Sequence, residues 1–326
     1  MGARPRDVVV VGASAGGVEA LRAMVAGLPT DFGASVLVVM HMPAGGTSAL
    51  PAILNRVGPL PAVTARDGER LQRGRIYVAR PDHHLLVVDG FIALSHGPTE
   101  NGHRPAINAT FRSAAIASGP AVIGVLLSGV LDDGVAGLLA ITGRGGRTVV
   151  QDPNDALYPG MPEHALRTMT PDHVIPAADI GALLAKITKE PAYTSDEAAP
   201  EVLRWENEIA SAGRRAAGAE TVGDPSEFAC PDCQGVLAEI EGGVRYRCRV
   251  GHAWTADALL AAQGSALERA LWTALRTLEE KTALSTRMAE EARERGSHRI
   301  ADRYERVARE TNEAVAVLRR QVMERD

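Results

Sequence analysis

The amino-acid sequence predicts an α/β fold, a doubly wound and mainly parallel sheet, over the first half of the chain. Three apolar runs, at residues 8–11, 35–40 and 121–127, have the length and composition of fully buried strands. A segment with helical spacing follows each run, so strands and helices alternate as in a sheet covered on both faces. Each run ends in small or polar residues, and in such a sheet these gather at one edge.

Length and charge narrow the possible classes of function. The chain has 326 residues, which is enough for two domains of about 150 residues each. Its net charge of −5 at pH 7 gives no reason to expect a nucleic acid or an anionic membrane as a partner. No apolar run reaches the roughly 18 residues of a membrane span, and no signal peptide precedes the first strand. We therefore expect a cytoplasmic protein without membrane insertion.

The first strand ends in the turn Gly-Ala-Ser-Ala-Gly-Gly at residues 12–17, with Ser14 at its centre. Three interpretations of this turn remain open. Ser14 is a nucleophile on a sharp strand-to-helix turn, or the glycines bind a phosphate or dinucleotide, or Ser14 only caps the helix that follows. The dinucleotide spacing is inexact, and the lysine of a P-loop is absent.

Polar side chains also follow the second and third buried strands. His41 comes directly after the second strand, and Asp132 and Asp133 follow the third. A lone histidine in a loop is more often a hydrogen-bonding residue than a catalyst, and an aspartate before a helix is ordinarily an N-cap. If Ser14, His41 and one aspartate converge at the same sheet edge, they meet the condition for a Ser-His-Asp triad.

An antiparallel hairpin is predicted between the second and third buried strands. Residues 84–88 and 91–95 form two short strands joined by Asp89-Gly90, a strong signal for a two-residue turn. The polar loop that follows carries His103 and Arg104, which either line a pocket or belong to a solvated loop. The domain closes with strands at 147–151 and 173–175 and a helix at 178–187.

The three cysteines of the chain lie close together, which favours a metal site over disulfides. Cys230 and Cys233 have the C-x-x-C spacing of one metal knuckle, and Cys248 with His252 forms a second knuckle. This set predicts a structural zinc in a small ribbon-like module, with no coordination position left for catalysis. The alternative is a vestigial knuckle without metal. The segment between the knuckles predicts a hairpin that turns at Gly242-Gly243.

The regions on either side of the module are predicted to be a linker and a helical hairpin. Residues 188–226 are rich in Ala, Glu, Pro and Gly and predict a mobile linker with a possible short helix. After the module, Thr255 or Asp257 caps a long helix that Gly296-Ser297 ends. The second helix is expected to pack through a narrow seam. The seam residues are Ile300, Tyr304, Val307, Thr311, Ala314 and Leu318.

Six segments in the first half of the chain resemble, in the same order, the catalytic domain of chemotaxis protein-glutamate methylesterases of the CheB type. The segments are VVGASAGGVEAL, HMPAGGTSAL, GRIYVARPDHHLLV, HRPAINATFRSAA, GVLLSGVLDDGVAGLLAI and VVQDPNDALYPGMPEHAL. The resemblance implies a triad in which Ser14 is the nucleophile, His41 the general base and Asp133 the residue that orients the histidine. It also implies hydrolysis of glutamate methyl esters on chemoreceptors, deamidation of receptor glutamines, and no cofactor for catalysis.

The resemblance also points to residues around the triad. Backbone N–H groups of Ala15, Gly16 and Val130 are candidates for the oxyanion hole, and Arg104 is a candidate for substrate binding. At Leu131 the sequence departs from the family pattern, which has a glycine there, so we expect a changed loop backbone or a narrower pocket. The family's N-terminal receiver domain has no counterpart before the first strand, so control by such a domain is not expected.

These observations predict a division into four parts. A CheB-type methylesterase domain covers 1–190, a linker 191–226, a Cys3His knuckle 227–255 and a helical hairpin 256–326. The expected partners are the helices of methylated chemoreceptors, and the hairpin is an intramolecular prop, a handle for self-association or a receptor-docking element. Two alternatives remain: a serine hydrolase for a different protein or small ester, and a non-enzymatic scaffold that recruits partners through the zinc and helical region.

Overall fold

The computed structural model describes residues 3–46, 48–193, 198–212, 223–240 and 245–323. The chain forms two compact units, Met1–Ala258 and Leu259–Asp326. The strands are β1 (Ala3–Pro5), β2 (Val8–Ala13), β3 (Ser35–Met40), β4 (Ala62–Thr64), β5 (Arg75–Val78), β6 (His84–Val88), β7 (Phe91–Ser95), β8 (Val122–Leu126), β9 (Arg147–Gln151), β10 (His173–Ile175), β11 (Pro191–Tyr193), β12 (Asp224–Ala229), β13 (Val236–Ile240), β14 (Arg245–Cys248) and β15 (Ala253–Thr255). The α-helices are α1 (Gly17–Ala26), α2 (Leu50–Val57), α3 (Ile107–Ser118), α4 (Val135–Gly143), α5 (Gly160–Thr168), α6 (Ala177–Ile187), α7 (Glu201–Ala212), α8 (Ala256–Glu294) and α9 (His298–Met323).

The first unit is built on a sheet of seven parallel strands, in the order β10-β9-β8-β2-β3-β5-β4. The strands β3, β5 and β4 lie on one side of β2, and β8, β9 and β10 lie on the other. The direction of winding therefore reverses at β2, and ligands of open α/β sheets bind outside the strand ends at such a point. The predicted doubly wound parallel sheet is confirmed.

The apolar runs form strands because both faces of the sheet are covered. Val9 and Val11 of β2 pack on one face, in a buried cluster with residues of α1, α2 and α6. Val8 and Val10 pack on the other, with residues of α3 and α4. Fully burying one such side chain contributes about 1.5–3 kcal/mol, so the four valines favour this strand over any exposed alternative.

The predicted antiparallel hairpin is also present, as a separate two-stranded sheet. β6 and β7 pair from His84 opposite Ser95 to Val88 opposite Phe91. The turn residues Asp89 and Gly90 have φ angles of 49° and 80°, the left-handed conformation of a tight hairpin turn. The hairpin is bound to α3, since the Thr110 hydroxyl donates to the Leu85 carbonyl at 2.6 Å.

The part of the predicted linker that the structure describes is packed rather than free. It contains α7, on which Glu206 is only 1% exposed. The Glu206 carboxylate forms ion pairs with Arg245 and Arg247 of β14 and with Arg112 of α3. Burial by itself would raise the pKa of Glu206, but the three guanidinium groups outweigh it and hold the pKa below its usual range. A charge buried in this way requires fixed partners, so α7 is held in place; the fourfold division of the chain otherwise stays a prediction.

The Cys-rich region forms an antiparallel sheet of four strands in the order β12-β13-β14-β15. β13 and β14 form the predicted hairpin, with Leu237 opposite Cys248. Its expected turn at Gly242-Gly243 lies outside the described residues. The strands thus place the two knuckles, which begin at Cys230 and Cys248, at the same end of a small sheet.

The second unit contains most of α8 and all of α9, which pair antiparallel. The Thr282 hydroxyl donates to the Thr311 hydroxyl at 2.8 Å, and Glu279 pairs with Arg319. One predicted seam residue is wrong, because Ile300 is 51% exposed while Ala301 is buried. The buried residues of the two helices near this turn are small, namely Ala289, Ala292 and Ala301. No helix within the described ranges combines the length and apolar character needed to cross a membrane.

We expect Glu206→Gln to lower the free energy of unfolding by about 3–5 kcal/mol, because three guanidinium groups, two of them buried, then lose a shared carboxylate. Equilibrium unfolding in urea measures the change. Glu208→Gln is the matched control, since Glu208 is exposed on the same helix, and its effect should stay within about 0.5 kcal/mol. Equal losses for the two variants would contradict the structural role of Glu206.

Candidate active site

The carboxyl ends of β2 and β3 bring Ser14 and His41 together. Ala13 and Met40 are opposite each other in the parallel pairing, so the residues that follow them start from adjacent positions. The His41 N–H donates to the Ala13 carbonyl at 3.1 Å, which extends the pairing into the loop. On the other side of β2, the Ser14 N–H donates to the Ser128 carbonyl at 2.9 Å.

Ser14, His41 and Asp133 form a continuous hydrogen-bonded chain at this edge. His41 Nδ1 lies 3.1 Å from Ser14 Oγ, and His41 Nε2 lies 2.7 Å from Asp133 Oδ2. The carboxylate can only accept, so Nε2 carries the proton and Nδ1 accepts from the serine hydroxyl. This tautomer leaves His41 ready to remove the hydroxyl proton. Asp132, the neighbouring aspartate, does not contact His41 and instead accepts from Thr255.

Asp133 is buried at the N-terminus of α3. Its carboxylate accepts the backbone N–H groups of Ile107 at 2.8 Å and Asn108 at 3.2 Å, besides the bond from His41. Burial would raise the pKa of Asp133, but the hydrogen bond and charge of His41 and the Ile107 N–H outweigh it and lower the pKa. The partial positive charge of the helix N-terminus acts in the same direction. Asp133 is therefore ionised where it orients His41.

Ser128, to which the sequence analysis assigned no role, organises the turn around Ser14. Its buried hydroxyl donates to the Ala15 carbonyl at 2.8 Å and accepts the Tyr158 N–H at 2.9 Å. Its own N–H donates to the Gln151 side chain at 2.8 Å. Ser128 thereby connects the nucleophile turn to the loop after β9. No local pattern identifies this role, because the partners come from two distant segments.

The three predicted oxyanion donors lie on the two loops that meet at Ser14. In the described part of the chain, the N–H groups of Ala15, Gly16 and Val130 have no hydrogen-bond partner. Gly16 has φ of 69° and directly precedes α1 as its N-cap, and a Cβ there would lie 2.7 Å from Ser128 Oγ. A glycine is therefore required at this position. Whether these donors bind an oxyanion stays a prediction.

Leu131, the departure from the family pattern, has a left-handed backbone with φ of 61°. A glycine adopts this conformation freely, whereas a branched side chain is strained in it by about 1–2 kcal/mol. The Leu131 residue is 38% exposed. The loop thus accommodates leucine by placing its side chain toward solvent.

His103 makes a contact with the triad that sequence reasoning did not foresee. Its ring stacks on His41 with centroids 3.6 Å apart and planes inclined by 12°. Burial, followed by the charge of His41, lowers the pKa of His103 to about 4. His103 is therefore a neutral wall against which the His41 ring is held. The sequence signal was only the polar loop with two candidate pocket residues.

Arg104, the predicted substrate-binding residue, lies at the rim of a cleft of about 520 Å³ on the His41 side of the triad. Its guanidinium is bound to the Asp82 carboxylate, with Nη2 at 2.6 Å, and donates to the Gly97 carbonyl at 2.9 Å. The hydrogen bond from Arg104 is the main cause that lowers the pKa of Asp82. Arg104 thus shapes the cleft wall, and a role in binding substrate stays a prediction.

The four predicted metal ligands form a compact cluster. The ligand atoms of Cys230, Cys233, Cys248 and His252 all lie within 4.8 Å of one another. Three of the separations are 3.5–3.6 Å: His252 Nδ1 to the Sγ atoms of Cys230 and Cys248, and Sγ to Sγ between Cys233 and Cys248. Tetrahedral Zn²⁺ with bonds of about 2.3 Å to sulfur and 2.0 Å to nitrogen requires edges of about 3.5–3.8 Å. The residues fit a tetrahedral metal ion.

In comparisons with known proteins, the first half of the chain matches one family. A family profile described as CheB methylesterase matches residues 9–184. A relative from Methanosarcina mazei, a protein-glutamate methylesterase/protein-glutamine glutaminase, is 34% identical over 192 residues, covering 56% of this chain and 52% of its own length. A relative of the same name from Anaeromyxobacter dehalogenans is 40% identical over 173 residues, covering 52% of this chain and 49% of its own. The chain spans about half the length of these curated relatives.

A solved structure is similar over the same region. The crystal structure of the Thermotoga maritima CheB methylesterase catalytic domain is 33% identical in sequence, with a TM-score of 0.53. The similarity covers 97% of that chain and 55% of this one. The family match at residues 9–184 includes Ser14, His41 and Asp133, and the Cys3His cluster and the helical pair lie beyond it.

The low pKa of His103 predicts a loss of stability in acid. In the folded protein the pKa of His103 is about 4, whereas its usual value is 6.5. The unfolded chain therefore binds a proton more readily, and stability that is complete above about pH 6.5 falls as the pH is lowered toward 4. The loss attributable to His103 is up to about 3 kcal/mol. It is measured by urea unfolding at a series of pH values.

The variant His103→Gln removes the titrating group, so we expect its stability to fall less steeply between these pH values than that of the wild type. His298→Gln is the control, because His298 is exposed on α9 and should leave the slope unchanged. A His103→Gln slope equal to that of the wild type would contradict the low pKa.

Proposed function

Because the chain belongs to the CheB methylesterase family, we propose that it hydrolyses methyl esters of glutamate side chains on the helices of methylated chemoreceptors. We include deamidation of glutamine side chains at such sites, since the same acyl transfer then releases ammonia instead of methanol. The observation that carries the proposal is the hydrogen-bonded chain from Asp133 through His41 to Ser14. A serine hydroxyl needs such a base to attack an ester carbonyl.

In the proposed reaction each residue of the site has a defined role. Ser14 Oγ attacks the ester carbonyl carbon while His41 Nδ1 takes the hydroxyl proton, and Asp133 stabilises the imidazolium. The N–H groups of Ala15, Gly16 and Val130 are the donors for the oxyanion, each worth about 2.7–4 kcal/mol in comparable sites. His41 then returns the proton to the departing methanol. Water, activated in the same way, cleaves the acyl-enzyme and releases the glutamate carboxylate.

The surface around Ser14 supports a protein as the substrate. Leu157 and Tyr158 are 67% and 45% exposed, and both lie beside the nucleophile turn, within 3.1 Å of where a Cβ of Gly16 would be. Val130, on the facing loop, is 48% exposed. Exposed apolar side chains around a catalytic group are typical of a surface that receives another protein. A methylated receptor helix would present its ester side chain to Ser14 at this surface.

We further propose that the Cys3His cluster binds one structural zinc ion. Three of the separations between its ligand atoms have the length of tetrahedral edges, and thiolate and imidazole ligands suit Zn²⁺. All four positions would be filled by the protein, so the ion would stabilise the module and take no part in ester hydrolysis. Residues Cys230, Cys233, Cys248 and His252 would hold it.

The function is tested by methanol release from a methylated chemoreceptor fragment. We expect release by the wild type and loss of at least about a thousandfold in Ser14→Ala, since the nucleophile is gone. Ser118→Ala is the control, because Ser118 ends α3 about 16 Å from the end of the helix that contacts Asp133. No release by a wild type whose Ser14 reacts with a fluorophosphonate would instead indicate a serine hydrolase for another ester. No reaction with the probe would favour a scaffold.

Zinc binding is tested on the purified chain by elemental analysis. We expect about one zinc per chain in the wild type and a loss in His252→Ala, because a tetrahedral site is incomplete with three protein ligands. His298→Ala replaces an exposed histidine on α9 and should retain the metal. Wild-type protein that takes up no zinc with its cysteines reduced would refute the site.

A further inference from the structure

The strand β15 leaves the Cys3His cluster and runs along the loop of residues 99–103. The Ala253 N–H donates to the Thr99 carbonyl at 3.2 Å, and the Asn101 N–H donates to the Ala253 carbonyl at 2.8 Å. The Asn101 side-chain oxygen accepts the Thr255 N–H at 2.9 Å. These three hydrogen bonds attach the loop to β15 along its whole length.

These contacts lead to both His41 and Asp133. His103, at the end of the loop, stacks on the His41 ring. The Thr255 hydroxyl donates to the Asp132 carboxylate at 2.8 Å, and Asp132 directly precedes Asp133. A shift of β15 would therefore move the supports of the general base and of the aspartate that orients it.

The two knuckles hold β15 and the loop from the other side. Asp232, inside the C-x-x-C pair, accepts the Thr99 hydroxyl at 2.5 Å. In the second knuckle the Cys248 N–H donates to the His252 carbonyl at 3.0 Å, and β15 begins with the next residue, Ala253. The positions of the four ligands consequently determine where β15 and Thr99 lie.

A buried ionic network also connects the Cys3His module to α3. Glu100 is 3% exposed, and its carboxylate pairs with Arg112 of α3 at 2.5 Å and lies 3.7 Å from Arg247 of β14. The first turn of the helix that carries Arg112 holds Asp133. Because buried charges tolerate little displacement from their partners, this network makes the connection between the module and α3 stiff.

We propose that the Cys3His module is a positioning element for the triad, in which Thr255 and Asn101 transmit metal occupancy of the cluster to the alignment of His41 and Asp133. The inference rests on the proposed function, since it concerns the reactivity of Ser14. Metal binding would hold both knuckles in one geometry, and with them β15, the loop of His103 and the Asp132 carboxylate. Loss of the metal would release these supports and slow the attack by Ser14.

The rate constant for labelling of Ser14 by a fluorophosphonate tests the proposal, because it reports the reactivity of the serine without a protein substrate. In the full zinc-loaded chain we expect Thr255→Val and Asn101→Gly to lower this rate constant roughly tenfold or more. Asn101→Gly removes the side-chain acceptor, and the glycine introduced tolerates the φ of 52° found at this position. Thr255→Ser keeps the hydroxyl and should restore most of the rate.

The control is Thr277→Val, which removes an exposed hydroxyl on α8 that bonds only to its own helix. The thermal unfolding midpoint of every variant is measured beside the rate, since Thr255 also caps α8 through the Ala258 N–H. A role in positioning predicts that labelling falls in both variants at temperatures where they are fully folded. It also predicts a changed pH dependence of labelling, because the environment of His41 is altered.

Removal of the metal is the second test of the proposal. We expect a chelator that strips the wild-type chain to lower the labelling rate about as much as Thr255→Val does, and zinc to restore it. In Thr255→Val the same treatment should have little further effect, since the connection is already broken. Wild-type rates in folded Thr255→Val and Asn101→Gly, or unchanged labelling of the metal-free wild type, would overturn the proposal. If the wild type is not labelled at all, it is the proposed esterase that fails.

Discussion

The hydrogen bonding of the buried Asp133 carboxylate is the interaction on which the candidate active site depends. It accepts hydrogen bonds from His41 and from two backbone N–H groups at the start of α3. A buried anion without these donors would be strongly unfavourable, so the loop after β8, the start of α3 and the histidine are held in one arrangement. The same arrangement leaves His41 Nδ1 as an acceptor facing Ser14. The hydrogen bonds that stabilise the buried carboxylate therefore also orient His41 toward Ser14.

A second set of buried charges explains why the Cys-rich module belongs to the first compact unit. Glu100, Arg112, Glu206 and Arg247 come from a loop, a helix, the predicted linker and a strand of the module. Each is buried, and each charge lies beside charges of opposite sign. Breaking the group would leave charges unpaired in a medium of low dielectric constant. The network therefore joins segments that sequence patterns assign to three separate regions.

Much of the fold was predictable because its signals are local. Apolar runs and small-residue turns identified the parallel sheet, and Asp89-Gly90 identified the hairpin. The structure brings Ser14, His41 and Asp133 together because carboxyl ends of adjacent parallel strands meet. The stacking of His103 and the bridging role of Ser128 were missed, since their partners lie far away in the sequence. The packing of α7 was missed for the same reason, because Glu206 looks like any solvated helical glutamate.

By itself the sequence determined the order of the strands and helices along the chain, the residue types at the sheet edge and the grouping of three cysteines and one histidine between Cys230 and His252. These follow from hydrophobic period, turn chemistry and ligand spacing, all of which act within a few residues. Only the tertiary structure decided which nitrogen of His41 faces Ser14, that a neutral His103 covers the ring, and that β15 lies against the active-site loop. Such features depend on burial and on hydrogen bonds between segments distant in the sequence, and the free energy of those contacts exists only once the chain is folded.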